Sequence, residues 1–285
     1  MHWQTSRHRI DLSVPRVMGI VNVTPDSFSD GGRFAATRSA VRRCEELLAD
    51  GADILDIGGE SSRPGIPAVP LDEELARVLP VLREAVTLGV PVSVDTYKPQ
   101  VMRQALDLGV DIVNDIRGAR DRESQQVIAN DPHCGICLMH MHGEPQSMQR
   151  SPMQGDAVPQ VVEFLQRASR ALVDGGVARD RIAWDPGIGF GKTVAQNFAL
   201  LARQRDLLVH GFPLLVGWSR KSSLGTVTGL PVEERLVPSI AAALLAVERG
   251  ARVVRVHDVR ETVAALKVRG AMISTEEDKG RDSQP

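Results

Sequence analysis

Several features that would assign the chain to a specialised class of protein are scarce or missing in its 285 residues. It has three cysteines, Cys44, Cys134 and Cys137, and so small and odd a number argues against a disulfide framework and suits a reducing compartment. Basic residues number 34 against 36 acidic ones, so a net charge of −2 offers no basic surface for nucleic acid. No apolar run approaches the roughly 18 residues of a membrane span, and the first residues lack the apolar core of a signal peptide. We therefore expect a cytoplasmic protein that binds neither nucleic acid nor membranes.

What the chain does contain is ordinary for a globular enzyme. Hydrophobic residues make up 42% and charged residues 25% of the sequence. The length suits either two domains or one α/β barrel. We see no linker and no shift of composition, which favours one domain over residues 1–273, followed by a polar tail over residues 274–285.

Short apolar runs alternate with segments of helical periodicity along the whole chain. The runs cover 17–23, 53–58, 90–95, 111–116, 135–141, 181–185, 213–218 and 252–257. The helical segments cover 36–50, 72–88, 99–108, 122–131, 158–175, 194–208, 234–249 and 260–271. The runs are continuous and not alternating, as expected of parallel strands that are covered on both faces. The pattern predicts an α/β fold, a (β/α)8 TIM barrel with long first (24–35) and second (59–70) βα loops.

Polar residues stand where the apolar runs end, and a barrel gathers those ends around one pocket. Asp95, Asn114 and Asp185 offer hydrogen-bond acceptors, which suit a neutral ring rich in N–H groups, and Lys221 adds a donor. The two aspartates also fit metal ligands or helix caps. None of the neighbouring runs ends in a third carboxylate or in a histidine, and this weakens the metal interpretation.

Basic residues concentrate at the ends of the last two runs, where this fold often binds phosphate. They are Arg220, Lys221, Arg255 and His257, together with the hydroxyl of Ser219. Arginine and lysine supply charge-assisted hydrogen bonds to phosphate oxygens. A solvated rim is the alternative, but basic residues on adjacent strands favour an anion site.

Three motifs resemble functional signatures without meeting their requirements. Residues 187–193 (GIGFGKT) resemble a phosphate-binding loop, but Pro186 stands where that pattern needs its first glycine. Cys134 and Cys137 have redox spacing, yet they precede an apolar run and do not open a helix. His140 and His142 are two residues of a type that binds zinc, but we find no complete zinc site around them and interpret them as part of a polar wall.

Eight segments together resemble the dihydropteroate synthase family of folate biosynthesis. They are MGIVNVTPDSFSDGG (18–32), GADILDIGGESSRPG (51–65), VSVDTYKP (92–99), VNDI (113–116), LMHMHGEP (138–145), DPGIGFGKT (185–193), SRKSSLG (219–225) and RVHDV (255–259). They follow the family order and cover nearly the whole chain. The resemblance implies a (β/α)8 barrel that forms a homodimer and is a target of competitive sulfonamide inhibitors. It also implies a transferase that joins p-aminobenzoate to 6-hydroxymethyl-7,8-dihydropterin diphosphate with Mg2+, releasing 7,8-dihydropteroate and diphosphate.

The resemblance also implies roles for individual residues. Those implied to hold the pterin are Asp95, Asn114, Met139, Asp185, Gly217 and Lys221. Those implied to hold the diphosphate are Asn22, Ser62, Arg63, Arg255 and His257, with Asn22 acting through the metal. Those implied to shape the p-aminobenzoate site are Phe28, Pro64, Phe190, Ser219 and Lys221. The residues implied to act in catalysis are Asp95, Asp185, Lys221, Arg255 and His257.

The sequence departs from the family pattern at three positions. Ser62 replaces a threonine and keeps its hydroxyl, Tyr97 replaces a small residue, and Trp218 places a bulky ring before the SRKS segment, beside the expected p-aminobenzoate entrance. Two rivals stay open. One is a non-catalytic pterin-binding relative, and the other is a methyltetrahydrofolate methyltransferase that works with a corrinoid protein. The methyltransferases lack the NVTPDSFSDGG and SRKS segments, which are present here.

Overall fold

The computed structural model describes residues 1–23, 30–61 and 65–282, without the side chains of 30–34 and 276–282. Within those residues, eight strands form one parallel sheet. They are β3 (Arg16–Asn22), β4 (Ile54–Gly58), β5 (Val92–Asp95), β6 (Ile112–Asp115), β7 (Gly135–Met139), β8 (Ile182–Asp185), β9 (Leu215–Val216) and β10 (Val253–Val256). Their order is β8-β7-β6-β5-β4-β3-β10-β9. A bridge between Trp184 and Leu214 joins the two ends of that order, so the predicted barrel is confirmed.

Helices follow the strands and cover the outside of the sheet. They are α1 (Asp30–Ala49), α2 (Leu71–Ala85), α3 (Pro99–Asp107), α4 (Arg122–Asn130), α5 (Ala157–Asp174), α6 (Val194–Ala202), α7 (Arg205–Leu208), α8 (Ser222–Thr228), α9 (Leu236–Glu248) and α10 (Val259–Asp282). Local signals set several helix starts: Asp121 and Asp156 cap α4 and α5, and Thr193 forms a capping box with Gln196 at α6. Among the described residues, no helix is long and apolar enough to cross a membrane.

Side chains alternate along each strand between the helices and the barrel interior. On β5, Val92 and Val94 pack in the core between sheet and helices, whereas Asp95 lines a cavity inside the barrel mouth. Because this alternation has a period of two, inward-facing polar residues can stand inside a fully covered strand. Each strand can thus direct polar side chains into the barrel interior while its apolar side chains pack against the helices.

A short hairpin before the barrel closes its amino end. Strands β1 (His2–Gln4) and β2 (Arg9–Asp11) pair antiparallel. Trp3 is fully buried against the barrel interior, and its indole N–H donates to the carbonyl oxygen of Arg181 at 2.9 Å. The sequence analysis did not predict this hairpin, because each of its strands has only three residues.

Every predicted strand and helical segment is present, but some bounds differ, one segment is divided and one helix is additional. The helix predicted to start at 36 begins at Asp30, the segment 194–208 divides into α6 and α7, and α8 was not predicted. Helix α10 continues to Asp282, across the predicted boundary between residues 273 and 274. The division into a barrel and a tail stays a prediction.

Candidate active site

A cavity of about 590 Å³ opens at the carboxyl ends of the strands, within the size range of small-molecule sites. The predicted site residues that line it are Asn22, Asp95, Asn114, Met139, Asp185, Phe190, Gly217, Ser219, Lys221, Arg255 and His257. Phe28, Ser62, Arg63 and Pro64 lie outside the described residues. Residues from all parts of the chain therefore meet at one mouth, as the order of strands predicts.

The floor of the cavity is a charged cluster that spans four strands. Arg255 on β10 donates from Nε to Oδ2 of Asp56 at 2.6 Å and from Nη2 to Oδ2 of Asp95 at 2.6 Å. The amide nitrogen of Asn114 lies 3.3 Å from the same Asp56 oxygen. One guanidinium thus joins two carboxylates, while Oδ1 of Asn114 is buried without a hydrogen-bond partner and is available to a ligand's N–H group.

Asp56 is a site residue that the sequence analysis missed. It is fully buried on β4, in register with Ser93 on β5. An aspartate inside a continuous apolar run was the available signal, since an unpaired carboxylate there would be costly. Asp95 and Asp185 were recognised because they end their strands, whereas Asp56 stands in the middle of its strand.

Burial and charge shift the titration of the floor. Burial raises the pKa of Asp95 to about 7, with Asp56 adding to the shift and Arg255 opposing it. Burial acts to lower the pKa of Arg255, but the carboxylates of Asp56 and Asp95 outweigh it and raise that pKa above its ordinary value. The guanidinium is therefore a fixed positive charge beneath the cavity. Its predicted contact with a diphosphate stays a prediction.

Asp185 ends β8 and begins a tight glycine-rich turn. The N–H of Gly187 donates to Oδ1 of Asp185 at 2.7 Å. Burial raises the pKa of Asp185, while that hydrogen bond and the nearby Lys221 act to lower it. Gly187 has a φ of +68°, and a Cβ there would lie 1.9 Å from the carbonyl oxygen of His140. The GIGFGKT segment (187–193) is thus a tight turn that packs on the residues following β7.

Lys221 and Phe190 together form one wall of the cavity. The ammonium nitrogen of Lys221 lies 4.2 Å from the centroid of the Phe190 ring, within cation–π range. Burial lowers the pKa of Lys221 to about 8, with Arg255 adding to the shift and the aspartates Asp185 and Asp95 opposing it. A lysine in this setting can act as a hydrogen-bond donor or give up its proton near neutral pH.

The loops after β9 and β10 meet through a serine and a histidine. Oγ of Ser219 lies 3.0 Å from Nδ1 of His257 and accepts from the backbone N–H of His257 at 3.2 Å. Beside them, the guanidinium of Arg220 holds both carboxylate oxygens of Asp258, at 2.5 and 3.1 Å. This arrangement holds His257 at the cavity wall, and Arg220, which also lines the cavity, is paired with Asp258.

The residues at the mouth fit a magnesium ion carried by a substrate better than a resident ion. Among the described side chains, no group of three or more histidine, cysteine or acidic residues could hold a metal. Asn22, exposed at the end of β3, offers one amide oxygen at the rim of the cavity. Magnesium commonly keeps several waters and binds through one or two protein oxygens plus phosphates. One amide oxygen is therefore sufficient only if a diphosphate supplies further ligands.

The other sequence motifs lie away from the cavity. His140 is buried with its ring 5.1 Å from that of Phe164, and burial lowers its pKa to about 2, so it is neutral. His142 is exposed. Cys134 and Cys137 are buried free thiols. Neither histidine lines the cavity, so they do not form the polar wall predicted at the mouth, whereas the buried thiols agree with the structural interpretation of the two cysteines.

Two departures from the family pattern occupy different places. Trp218, expected beside the p-aminobenzoate entrance, is 2% exposed, and its ring lies 5.3 Å from that of Phe198 in the core. The side chain points outward because it alternates with Gly217 and Ser219, which line the cavity. Tyr97 donates its hydroxyl hydrogen to Oε1 of Glu60 at 2.8 Å, at the base of the second loop.

Comparison with known proteins identifies the relatives of this chain. Residues 18–257 match the family model described as pterin binding enzyme. A dihydropteroate synthase from Neisseria meningitidis serogroup B is 48% identical over 272 residues, covering 93% of this chain and 95% of that protein. The structure resembles Burkholderia cenocepacia dihydropteroate synthase complexed with 7,8-dihydropteroate, with a TM-score of 0.89, 49% identity, and coverage of 97% of this chain and 98% of the other. It also resembles Yersinia pestis dihydropteroate synthase with a sulfonamide drug complex, with a TM-score of 0.90, 42% identity, and coverage of 96% and 100%.

Proposed function

The chain belongs to the dihydropteroate synthase family of pterin-binding enzymes, and from this membership we propose its reaction. The proposed enzyme condenses 6-hydroxymethyl-7,8-dihydropterin diphosphate with p-aminobenzoate to give 7,8-dihydropteroate and diphosphate. The observation that carries the proposal is the cavity floor, where Asp95, Asn114 and Asp185 converge beside Lys221. A pterin presents several N–H donors and a carbonyl along one edge, and this set of acceptors with one cation is complementary to it.

In the proposed mechanism, departure of the diphosphate is the difficult step. The bond between the exocyclic methylene carbon and the diphosphate oxygen breaks, and its electron pair leaves with the diphosphate. Positive charge then develops on the methylene and spreads into the electron-rich pterin. The carboxylates of Asp95 and Asp185, whose side chains are largely shielded from solvent, favour that charge electrostatically.

The second substrate needs positioning and little activation. The aromatic amine is already nucleophilic, so its nitrogen lone pair forms the new C–N bond, and the surplus proton leaves with solvent. Phe190 and Lys221 form the wall along which we place p-aminobenzoate, with Ser219 nearby. Phe28 and Pro64 are proposed to complete this site, and sulfonamides to compete for it.

The leaving diphosphate is proposed to meet the cationic side of the mouth. Arg255 and His257 come from β10 and its loop, and Ser62 and Arg63 are proposed to approach from the second loop. Asn22 would contribute its amide oxygen to Mg2+ that arrives with the diphosphate. The bound ion supplies Lewis-acid stabilisation of the departing oxygens.

The alternative of a non-catalytic pterin-binding relative receives less support. Loss of the basic pair would be the expected mark of such a relative, and both Arg255 and His257 line the cavity. The similar proteins are named dihydropteroate synthases and match this chain over most of its length. We therefore prefer the interpretation of this chain as a dihydropteroate synthase. A homodimer, a cytoplasmic location, and the domain limits of 1–273 and 274–285 stay proposals.

A reconstituted reaction tests the proposed function. The purified chain is incubated with the dihydropterin diphosphate, p-aminobenzoate and Mg2+, and dihydropteroate is followed by mass spectrometry. We expect product only when all three are present, and none from Asp95→Asn. Tight binding of the dihydropterin diphosphate without product would instead support the non-catalytic relative.

A further inference from the structure

Lys192 is a buried lysine that does not line the cavity. It follows the glycine-rich turn after β8 and is 2% exposed. Its ammonium nitrogen donates to the carbonyl oxygens of Gly187 at 2.8 Å, Phe190 at 3.1 Å and His140 at 3.2 Å. An ammonium group has three N–H donors, so these backbone oxygens account for all of them. Burying a positive charge that has no hydrogen-bonded carboxylate partner is costly and unusual in proteins.

The three oxygens belong to two separate segments of chain. Gly187 and Phe190 lie in the turn, whereas His140 lies just beyond β7. The two segments approach so closely that a Cβ on Gly191 would lie 2.1 Å from the carbonyl oxygen of His142. Backbone hydrogen bonds from His140 to Asp185, at 3.0 Å, and from His142 to Phe190, at 3.5 Å, join the segments as well. The donors of Lys192 satisfy the hydrogen bonding of carbonyl oxygens that this close packing removes from water.

Two residues of the proposed site adjoin or lie in the 187–190 turn that Lys192 contacts. Asp185 precedes it, and the Phe190 ring projects from it towards Lys221. The amide side chain of Asn197 supports the turn from outside by accepting from the N–H of Gly189 at 2.8 Å. Displacing the turn would therefore move the Phe190 wall more than the floor residues, because Asp95 and Asn114 stand on other strands and Asp185 is held within β8 by its pairing with β7.

We propose that Lys192 is a positioning residue for the synthase reaction, binding the 187–190 turn to residue 140 and thereby fixing Phe190 against Lys221 in the p-aminobenzoate part of the cavity. The inference rests on the proposed function and deepens it. It assigns to the lysine of the GIGFGKT segment a task other than phosphate binding. The lysine acts through Phe190 and contacts no substrate.

The test compares Lys192→Met with Arg181→Met. Methionine keeps most of the aliphatic stem and removes the donors. Arg181 is a matched control because it is also a buried cation, 4% exposed, and donates to the carbonyl oxygens of Cys134 at 2.7 Å and Ile128 at 3.1 Å, at the far end of β8. We expect Lys192→Met to raise the KM for p-aminobenzoate about tenfold or more, with less than about a threefold change for the dihydropterin diphosphate. Arg181→Met should lower the Tm and leave both KM values nearly unchanged.

Two outcomes would overturn the proposal: an unchanged KM for p-aminobenzoate in Lys192→Met, or equal changes of KM in both variants, which would indicate general destabilisation. If Lys192→Met does not fold, Lys192→Gln replaces it, since it keeps two donors. It should show an intermediate rise, and an unchanged KM would again contradict the proposal.

Hydrogen exchange separates this inference from the reaction itself. Amides of residues 187–191 should exchange at least about tenfold faster in Lys192→Met than in the unmodified chain, and Arg181→Met should not change them. A wild-type chain that makes no dihydropteroate would refute the proposed function alone. Unaltered exchange in an active Lys192→Met enzyme would refute the positioning role alone.

Discussion

The amino end of the barrel is apolar and sealed, whereas the carboxyl end holds a charged cavity. At the amino end, Trp3 from the hairpin packs with inward-facing residues such as Ile54 and Ile112. Nearer the carboxyl end, the inward-facing residues of the same two strands are polar: Asp56 on β4 and Asn114 on β6. The change occurs within two residues along each strand. Stability and chemistry are therefore assigned to different layers of one barrel.

The comparison also shows how the carboxyl end tolerates its buried charges. Arg255 lies between Asp56 and Asp95, so each carboxylate has a cationic partner within 2.6 Å. Breaking such a pair leaves an uncompensated charge, which costs more than the pair itself contributes. The apolar cluster around Trp3 needs no such balance, because its members carry no charge.

Trp3→Ala should have the largest effect and should act on stability alone. Removing a buried indole from the seal is expected to lower the free energy of unfolding by about 3–5 kcal/mol. The KM for each substrate should change little, because the cavity lies at the other end. Urea denaturation and steady-state kinetics measure the two quantities. A large rise in KM at a temperature where the variant is folded would break the division between the ends.

Asp95→Asn should show the converse behaviour. The amide keeps the size of the side chain and removes the charge that favours the developing cation, so we expect kcat to fall by about a hundredfold or more. The denaturation midpoint should move less than in Trp3→Ala, because Arg255 keeps its bond to the carboxylate of Asp56. The exposed Asp107→Asn provides the control for loss of one negative charge. Turnover that survives the change at Asp95 would remove its catalytic role.

Asp56→Asn should lie between these extremes. Arg255 would lose one of its two carboxylate partners, and we expect a fall of about tenfold in kcat/KM for the dihydropterin diphosphate together with a lower Tm. Asparagine can still accept a hydrogen bond from the guanidinium, which limits the loss. Equal KM and Tm in variant and wild type would mean that Asp56 does not hold Arg255 in the working enzyme.

The pH dependence of stability should distinguish the two ends as well. Burial raises the pKa of Asp95 from 3.8 to about 7, so the folded chain keeps a proton that the unfolded chain has released between those values. Asp95 therefore makes folding less favourable as the pH rises through that range, and Asp95→Asn lacks this contribution. We expect the Tm of wild type to fall relative to that of Asp95→Asn between about pH 4 and pH 7. Parallel Tm curves would contradict the raised pKa.

Trp218→Phe should have the smallest effect. The indole packs in the core against Phe198 and does not line the cavity. We expect the KM for p-aminobenzoate and the inhibition by sulfonamides to change by less than about twofold, with a modest loss of stability. A larger change in either binding constant would show that the ring acts on the cavity through Gly217 or Ser219.

The sequence predicted the carboxyl end better than the amino end, for a physical reason. Polar residues that end apolar runs, such as Asp95 and Asp185, are conspicuous, and strand order alone brings them together. The sealing hairpin has three-residue strands that leave no periodic signal. Asp56 was missed because it stands inside its apolar run and not at the end of it, and its partner Arg255 is 199 residues away along the chain. Pairing at such separation depends on closure of the barrel, which no local pattern encodes.

A crystal structure of the chain with the dihydropterin diphosphate bound tests the account most directly. We predict that the pterin ring lies in the carboxyl-end cavity, within hydrogen-bonding distance of Asp95, Asn114 and Asp185, and that the amino end stays closed around Trp3. A ring bound elsewhere, or bound in the cavity without contact to Asp95 and Asp185, would contradict the assignment of chemistry to this end of the barrel.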